Sequence, residues 1–330
     1  MDDRLDRLVN IDFGGRGIDG LYRAARERIG APLALAAAER LANAPDGSTV
    51  LITTGSVSRA WISPTIGEND GPAGAAVIAR ALVLGKRMIP VILAEESLLA
   101  AMSGIFQVAG MSIVSLEEAR RTSMPGGRLA VAVMRSYPID DAAGQAQAGP
   151  LLDELGPSIV FSTERVGRNA KGIYHNMRGI DFGMGRSRID YVFDEALRRG
   201  IPSIAVGDGG NEIGMGLVSD AVTKHVKFGD KCACGCGGGL GAVTPADVLM
   251  TAACSNWGCY AIAGLFARLL GDANLMHSAQ REEDLLQRGM QLGLINSVDG
   301  LIDQNVDGIS LECHKSVVSV IGELSSRYTI

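Results

Sequence analysis

The chain has 330 residues, 47% of them hydrophobic and 21% charged, with a net charge of −6. That composition belongs to globular proteins with enough apolar material for a core, and it holds no basic stripe interleaved with aromatics, which argues against nucleic acid as a partner. The first ten residues lack a basic stretch followed by an apolar one, and the longest apolar run is broken by Arg80, Lys86 and Arg87. A secretory signal and a membrane span are not expected, and the expected location is cytoplasmic.

Apolar runs of strand length alternate with helical stretches along the whole chain. In order, Thr49–Thr54 reads as a strand, Pro72–Gly85 as a helix with proline in its first turn, and Met88–Leu93 as a strand. A short helix follows in "EESLLAAMSG", then strands at Leu129–Met134, Ser158–Thr163 and Ile201–Val206. "PADVLMTAACSNWGCYAIAGLFARLLG" and "REEDLLQRGMQLG" read as helices, and two Val-Asp-Gly turns precede a last helix. Strands apolar on both faces and separated by helices predict a Rossmann-like three-layer α/β fold, a largely parallel sheet flanked by helices. No internal repeat or linker divides the chain, so residues 1–330 are expected to form one domain.

In such a sheet, ligands bind beyond the carboxyl ends of the strands. Three polar, glycine-rich loops follow predicted strands there, at 55–70, 164–178 and 208–216, and are expected to line one pocket. The first offers Gly55 and Ser56 as backbone donors to an anion, Arg59 as a cation, then Glu68, Asn69 and Asp70. Asp70 is equally readable as the cap of the helix that follows. The second loop offers Glu164, Arg165 and Asn176, with Arg165 suited to clamp a carboxylate. The third packs Asp208, Asn211 and Glu212 among five glycines. Asn256 and Trp257 are expected to face or flank the same pocket.

Other motifs are weaker. "GRGIDG" at 15–20 has dinucleotide spacing but follows no buried strand, and reads as a turn before a helix. Cys232, Cys234 and Cys236 have C-x-C-x-C spacing rather than the C-x-x-C of a zinc knuckle, and alternate residues of an extended chain point to opposite sides. A metal there and a glycine-rich loop of reduced thiols both remain open. No nucleophile elbow, P-loop or H-E-x-x-H is present, and four histidines leave carboxylates as the expected chemistry.

Five stretches taken together, "GENDGPAGAAVIARAL", "STERVGRNAKGIYHNMRG", "GDGGNEIGMG", "PADVLMTAACSNWGCYA" and "VDGISLECH", resemble the D-glutamate cyclase C-terminal domain family over about Gly14 to His314. In some relatives a second domain precedes this one. The matching motif positions are Glu68, Asn69, Asp70, Glu164, Arg165, Asn176, Asp208, Asn211, Glu212, Asn256, Glu312 and His314. The resemblance implies an α/β fold and a lyase converting D-glutamate to 5-oxo-D-proline and water.

For that reaction Asp208, Glu212 and Glu164 are the expected proton-handling groups, and Arg165 or Arg59 the expected clamp on the α-carboxylate. Asp208 and Glu212 are the expected ligands of a divalent cation such as Mg or Mn, if one takes part. The expected partner is a small molecule, D-glutamate or a related amino acid, with self-association left open. The other readings are a metal-dependent hydrolase, or a binding protein for a small amino acid or lactam.

Overall fold

The computed structural model describes residues 2–122 and 126–328. Among these residues, seven strands form one sheet: β1 (Thr49–Thr54), β2 (Ile89–Ala94), β3 (Ser112–Ile113), β4 (Val131–Ser136), β5 (Ile159–Thr163), β6 (Ser203–Gly207) and β7 (Val248–Thr251). Every pairing is parallel and the order is β3-β4-β2-β1-β5-β6-β7. The predicted parallel α/β architecture is therefore the observed one.

Among the described residues, twelve α-helices connect and cover the sheet: α1 (Arg4–Val9), α2 (Ile18–Ile29), α3 (Leu33–Ala42), α4 (Pro72–Lys86), α5 (Leu99–Val108), α6 (Leu116–Arg121), α7 (Asp141–Leu155), α8 (Asp190–Arg198), α9 (Ser219–His225), α10 (Ser255–Leu270), α11 (Ala279–Gln291) and α12 (Leu311–Ser326). Side chains alternate across the strands and so feed two cores. Val50 and Ile52 of β1, Phe161 of β5 and Val206 of β6 point to one face, under α3, α4 and α10. Leu51, Val91 and Val160 point to the other, under Leu151 and Leu152 of α7 and Val192 and Phe193 of α8.

Two readings need correction. The long stretch from Pro245 is not all helix: Val248–Thr251 is the edge strand β7, paired with β6. A four-residue apolar run has no periodicity to distinguish strand from buried helix. Likewise the two-residue β3 was too short to register. The helix expected at 95–104 begins with a 3-10 turn and its α-helical part, α5, lies four residues later, at Leu99–Val108. Elsewhere most boundaries moved by a residue or two, and α4 passes Gly85 and ends where Arg87 takes φ 52°.

The connectivity fixes where a ligand belongs. From β1 the chain passes to β2, then to the edge strand β3 and back to β4, which lies between β3 and β2, before it crosses to β5 and winds outward through β6 and β7 on the other side. The reversal lies between β1 and β5, so the loops after Thr54 and Thr163 diverge and open a crevice at that point. Among the described residues, no helix is long and apolar enough to cross a membrane.

Candidate active site

A cavity of about 350 Å³ opens at this crevice, with Ser58, Arg59 and Glu68 on one side, Glu164, Asn176 and Arg178 on another, and Asp208 and Asn211 on a third. The three predicted loops meet there. Three larger hollows, against α2 and α9, at the amino end of β4, and between α7 and α8, lie away from the carboxyl ends of the strands and from the acidic clusters there.

The β6 loop is built around its own glutamate. Glu212 accepts hydrogen bonds from the backbone N–H of Asp208 (3.1 Å), Gly209 (2.7 Å) and Gly210 (2.7 Å), and is fully buried. The turn closes on that carboxylate and presents Asp208 to the cavity. Asn211 donates to the carbonyl of His175 (2.7 Å), joining this loop to the β5 loop.

Asp208 faces a residue from each end of the chain. Arg16 Nη1 reaches Asp208 Oδ2 and, at 2.8 Å, Asp307 Oδ2. Ser297 Oγ donates to the other oxygen of Asp307 (2.9 Å). Burial would raise both carboxyls, but Arg16 and the hydrogen bonds from Asp208 and Ser297 outweigh it at Asp307, whose pKa is lowered. At Asp208 burial wins over Arg16, helped by Glu164 and Asp307, and its pKa rises well above the ordinary value. Two like charges this close cannot both ionise cheaply, so the pair titrates together, with the proton favoured on Asp208 and the charge on Asp307.

Glu164 stands between these groups and the helices. It takes φ 52°, a left-handed conformation rare for a side chain of this size, and accepts a hydrogen bond from Ser255 Oγ (2.5 Å). Burial, then Asp70 and Glu212, push its pKa well above that of an exposed glutamate. Gly71 lets the β1 loop pass this close: a Cβ there would sit 2.8 Å from that of Glu164. Glu68, across the cavity, is raised by burial against the pull of Arg186. Arg59 donates to Ser58 Oγ (3.2 Å) and to the carbonyl of Ser297 (3.1 Å), keeping its charge at the rim. Trp61 and Phe182 meet edge to face at 5.7 Å over the opening.

Six predicted residues line the cavity: Arg59, Glu68, Glu164, Asn176, Asp208 and Asn211. The rest stand behind it. Gly55 gives its carbonyl to Arg165 (2.8 Å), and Ser56 Oγ accepts from Arg186 Nε (3.1 Å). Asn69 bonds the carbonyl of Asn305 (2.5 Å). Arg165 is no clamp for a ligand. Its fork is spent on Glu95, at 2.9 and 2.6 Å, and on the carbonyl of Ser187 (2.7 Å), with both charges out of solvent.

Asp70 and Asn256 tie α4 to α10, and Trp257 is fully buried, donating to His314 Nδ1 (2.8 Å). Glu312 pairs with Lys315 on the surface. Sequence reasoning missed Arg16, Asp307 and Glu95. Glu95 directly follows β2, the same signal used for Glu164 and Asp208, whereas Arg16 and Asp307 sit in turns that follow no strand.

The expected divalent cation does not fit the donors as arranged. Oxygens of Asp70, Asp208 and Asp307 lie within 4.8 Å of one another, as do those of Glu164, Asp208 and Glu212. However, Arg16 already occupies the cationic position between Asp208 and Asp307, and both oxygens of Glu212 are taken by backbone N–H groups.

The protein is a parallel α/β sheet with a crevice at its strand ends where buried acids meet arginines, an arrangement suited to binding a small charged molecule. A family model described as D-glutamate cyclase-like, C-terminal, matches residues 5–322, and the chain belongs to that family. It is 28% identical over 328 residues to the human protein named D-glutamate cyclase, mitochondrial, an alignment covering 92% of this chain and 48% of the human one. The chain thus spans about half the length of that relative.

Proposed function

We propose that the chain is a carbon–oxygen lyase that converts D-glutamate to 5-oxo-D-proline and water. One observation carries the reading: the buried carboxyls of Asp208 and Glu164, with raised pKa values, that of Asp307, with a lowered one, and the arginines Arg59 and Arg178 border the same small cavity.

The proton inventory of the reaction suits that set. The substrate enters with an ammonium and two carboxylates and leaves as a lactam with one carboxylate. Two protons depart from nitrogen and two arrive on the departing oxygen, so none is exchanged overall. Asp307, the ionised acid, is suited to take a proton from the ammonium, freeing the lone pair that attacks the γ-carboxyl carbon. Asp208 and Glu164, held protonated, are suited to donate to the γ-carboxylate, first making it electrophilic and then releasing its oxygen as water.

Asp307 is suited to take the second nitrogen proton too, after ring closure; passed in turn through the adjacent Asp208, the two protons restore Asp208 and Glu164, and Asp307 returns to its ionised form. Arg59 and Arg178 would hold the α-carboxylate. Fixing amine and γ-carbon at ring-closing distance supplies much of the acceleration. No step is routed through a metal, because the donors expected to hold one are engaged.

The test is direct. Purified chain is incubated with D-glutamate or L-glutamate and product is followed by proton NMR. Formation of 5-oxoproline from the D-enantiomer, lost in Asp208→Asn and Asp307→Asn variants that keep the wild-type Tm, is the expected result. Binding of D-glutamate or 5-oxo-D-proline without turnover would instead favour a binding protein. Hydrolysis of a lactam other than 5-oxoproline would favour the hydrolase reading.

A further inference from the structure

Behind the β5 loop, away from the carboxylate cluster, four side chains converge that the proposed reaction does not use. Cys232, Cys234 and Cys236 come together with His175, and their ligand atoms lie within 4.8 Å of one another. Cys232 Sγ is 3.3 Å from Cys234 Sγ and 3.2 Å from Cys236 Sγ, and His175 Nε2 is 3.1 Å from Cys234 Sγ and 3.8 Å from Cys236 Sγ. All three cysteines are free.

The C-x-C-x-C spacing would scatter these thiols if the chain were extended. It is not extended. Gly235 and Gly237 take φ 87° and 73°, and those left-handed turns bring alternate cysteines to one side. We propose that Cys232, Cys234, Cys236 and His175 bind a single zinc ion in a tetrahedral, structural site.

Bond lengths of about 2.3 Å to sulfur and 2.0 Å to nitrogen make tetrahedral edges of roughly 3.5 to 3.8 Å, close to the separations observed. A disulfide, at about 2.05 Å, is far shorter than any of them. Thiols are weak hydrogen-bond donors and give little reason for three of them to crowd a buried imidazole. Three thiolates and one imidazole are, in contrast, a set that soft and borderline cations favour, and four protein ligands close the coordination sphere.

The surroundings support a thiolate site. Asn169 Nδ2 donates to Cys236 Sγ (3.4 Å) and to the carbonyl of Gly239 (2.7 Å), while the Cys236 N–H points at Cys234 Sγ (3.5 Å). The N–H groups of Ala233 and Cys234 both donate to the carbonyl of Gly179, at 2.8 and 3.0 Å. The ion would thereby fasten the 232–236 loop to the 175–181 turn. His175 adjoins Asn176, a wall of the cavity, and its carbonyl is held by Asn211, another wall. The role is structural, and it does not depend on which reaction the cavity performs.

The chain, expressed without added chelator and purified in reducing buffer, is expected to carry about one zinc per molecule by plasma mass spectrometry. Asp208→Asn should retain that zinc, whereas Cys234→Ser and His175→Ala should lose most of it. Either of the latter changes is liable to unfold the loop, so a second measurement uses the wild-type chain. Replacement of its zinc by cobalt should give thiolate-to-cobalt charge-transfer bands and the d–d spectrum of a tetrahedral ion. Absence of zinc together with absence of those bands would overturn the proposal, as would iron in zinc's place. An intact mass two daltons low, marking a disulfide among these cysteines, would overturn it too.

Discussion

Asp70 and Asn256 each cap the other's helix. Asp70, in the loop before α4, accepts the N–H groups of Ser255 and Asn256 at the start of α10, both at 3.0 Å. Asn256 Oδ1 accepts those of Gly71 (3.1 Å) and Gly74 (2.7 Å) at the start of α4. Motif matching places both residues in a site, but their visible work is to join two helix N-termini beneath it. Asn256→Ala strands two buried donors and should cost about 1–3 kcal/mol. Calorimetry showing an unchanged Tm would return Asn256 to the list of ligand contacts.

Arg165 and Glu95 form a bidentate pair buried under the floor of the cavity. Removing one partner leaves the other charge without compensation, at a cost of about 3–5 kcal/mol. Arg165→Met and Glu95→Gln should therefore both lower the midpoint of urea unfolding strongly. A ligand clamp would behave otherwise: Arg165→Met would weaken substrate binding and Glu95→Gln would be silent.

Arg16 keeps Asp307 ionised. Without it, Asp307 should hold its proton to higher pH, as burial demands. The Arg16→Met variant is expected to shift the acid limb of the pH dependence of kcat/KM upward and to lower its plateau. General-base contributions of about 10²–10⁴-fold set the scale of that loss. A limb that stays in place while the rate falls would mean that Arg16 acts on the substrate rather than on Asp307.

Asp6 provides a test of linkage remote from the cavity. It accepts the N–H groups of Leu33 (2.6 Å) and Ala34 (3.0 Å), and burial raises its pKa to about 6. The folded chain therefore binds this proton more tightly than the unfolded one, and the stability it adds is full below about pH 4. That contribution is lost as pH rises toward 6, at up to about 1.4 kcal/mol per unit. The stability difference between wild type and Asp6→Asn should fall across that window and level off above it, which urea titrations at several pH values would reveal.

Much of this was legible in advance. Fully apolar runs bounded by glycine-rich loops announce a parallel sheet, and the rule that sites lie beyond strand ends brought Glu68, Glu164 and Asp208 to one place. What the pattern could not convey was which polar groups face outward. Glu212 and Asp208 are four residues apart in one loop, yet one is consumed by three backbone donors and the other is presented to the cavity. Nor could local pattern reveal Arg16 and Asp307, since a turn declares its partners only when chain segments 291 residues apart meet. The cysteines misled for a similar reason: alternation predicts divergence, and two left-handed glycines reverse it.

The contact of Arg16 with Asp208 and Asp307 also sets a time at which the cavity can exist. Its acids are drawn from the sheet, its counter-ion from before the first strand, and its ionised partner from just ahead of the last helix. While the chain is being synthesised, a sheet already paired through β7 would still lack Asp307, and Arg16 would neutralise Asp208 alone. The proton that the finished site divides between two carboxyls would have no second acceptor. By this geometry the division of the proton between Asp208 and Asp307 cannot arise until the segment carrying Asp307 has been made and has met Arg16.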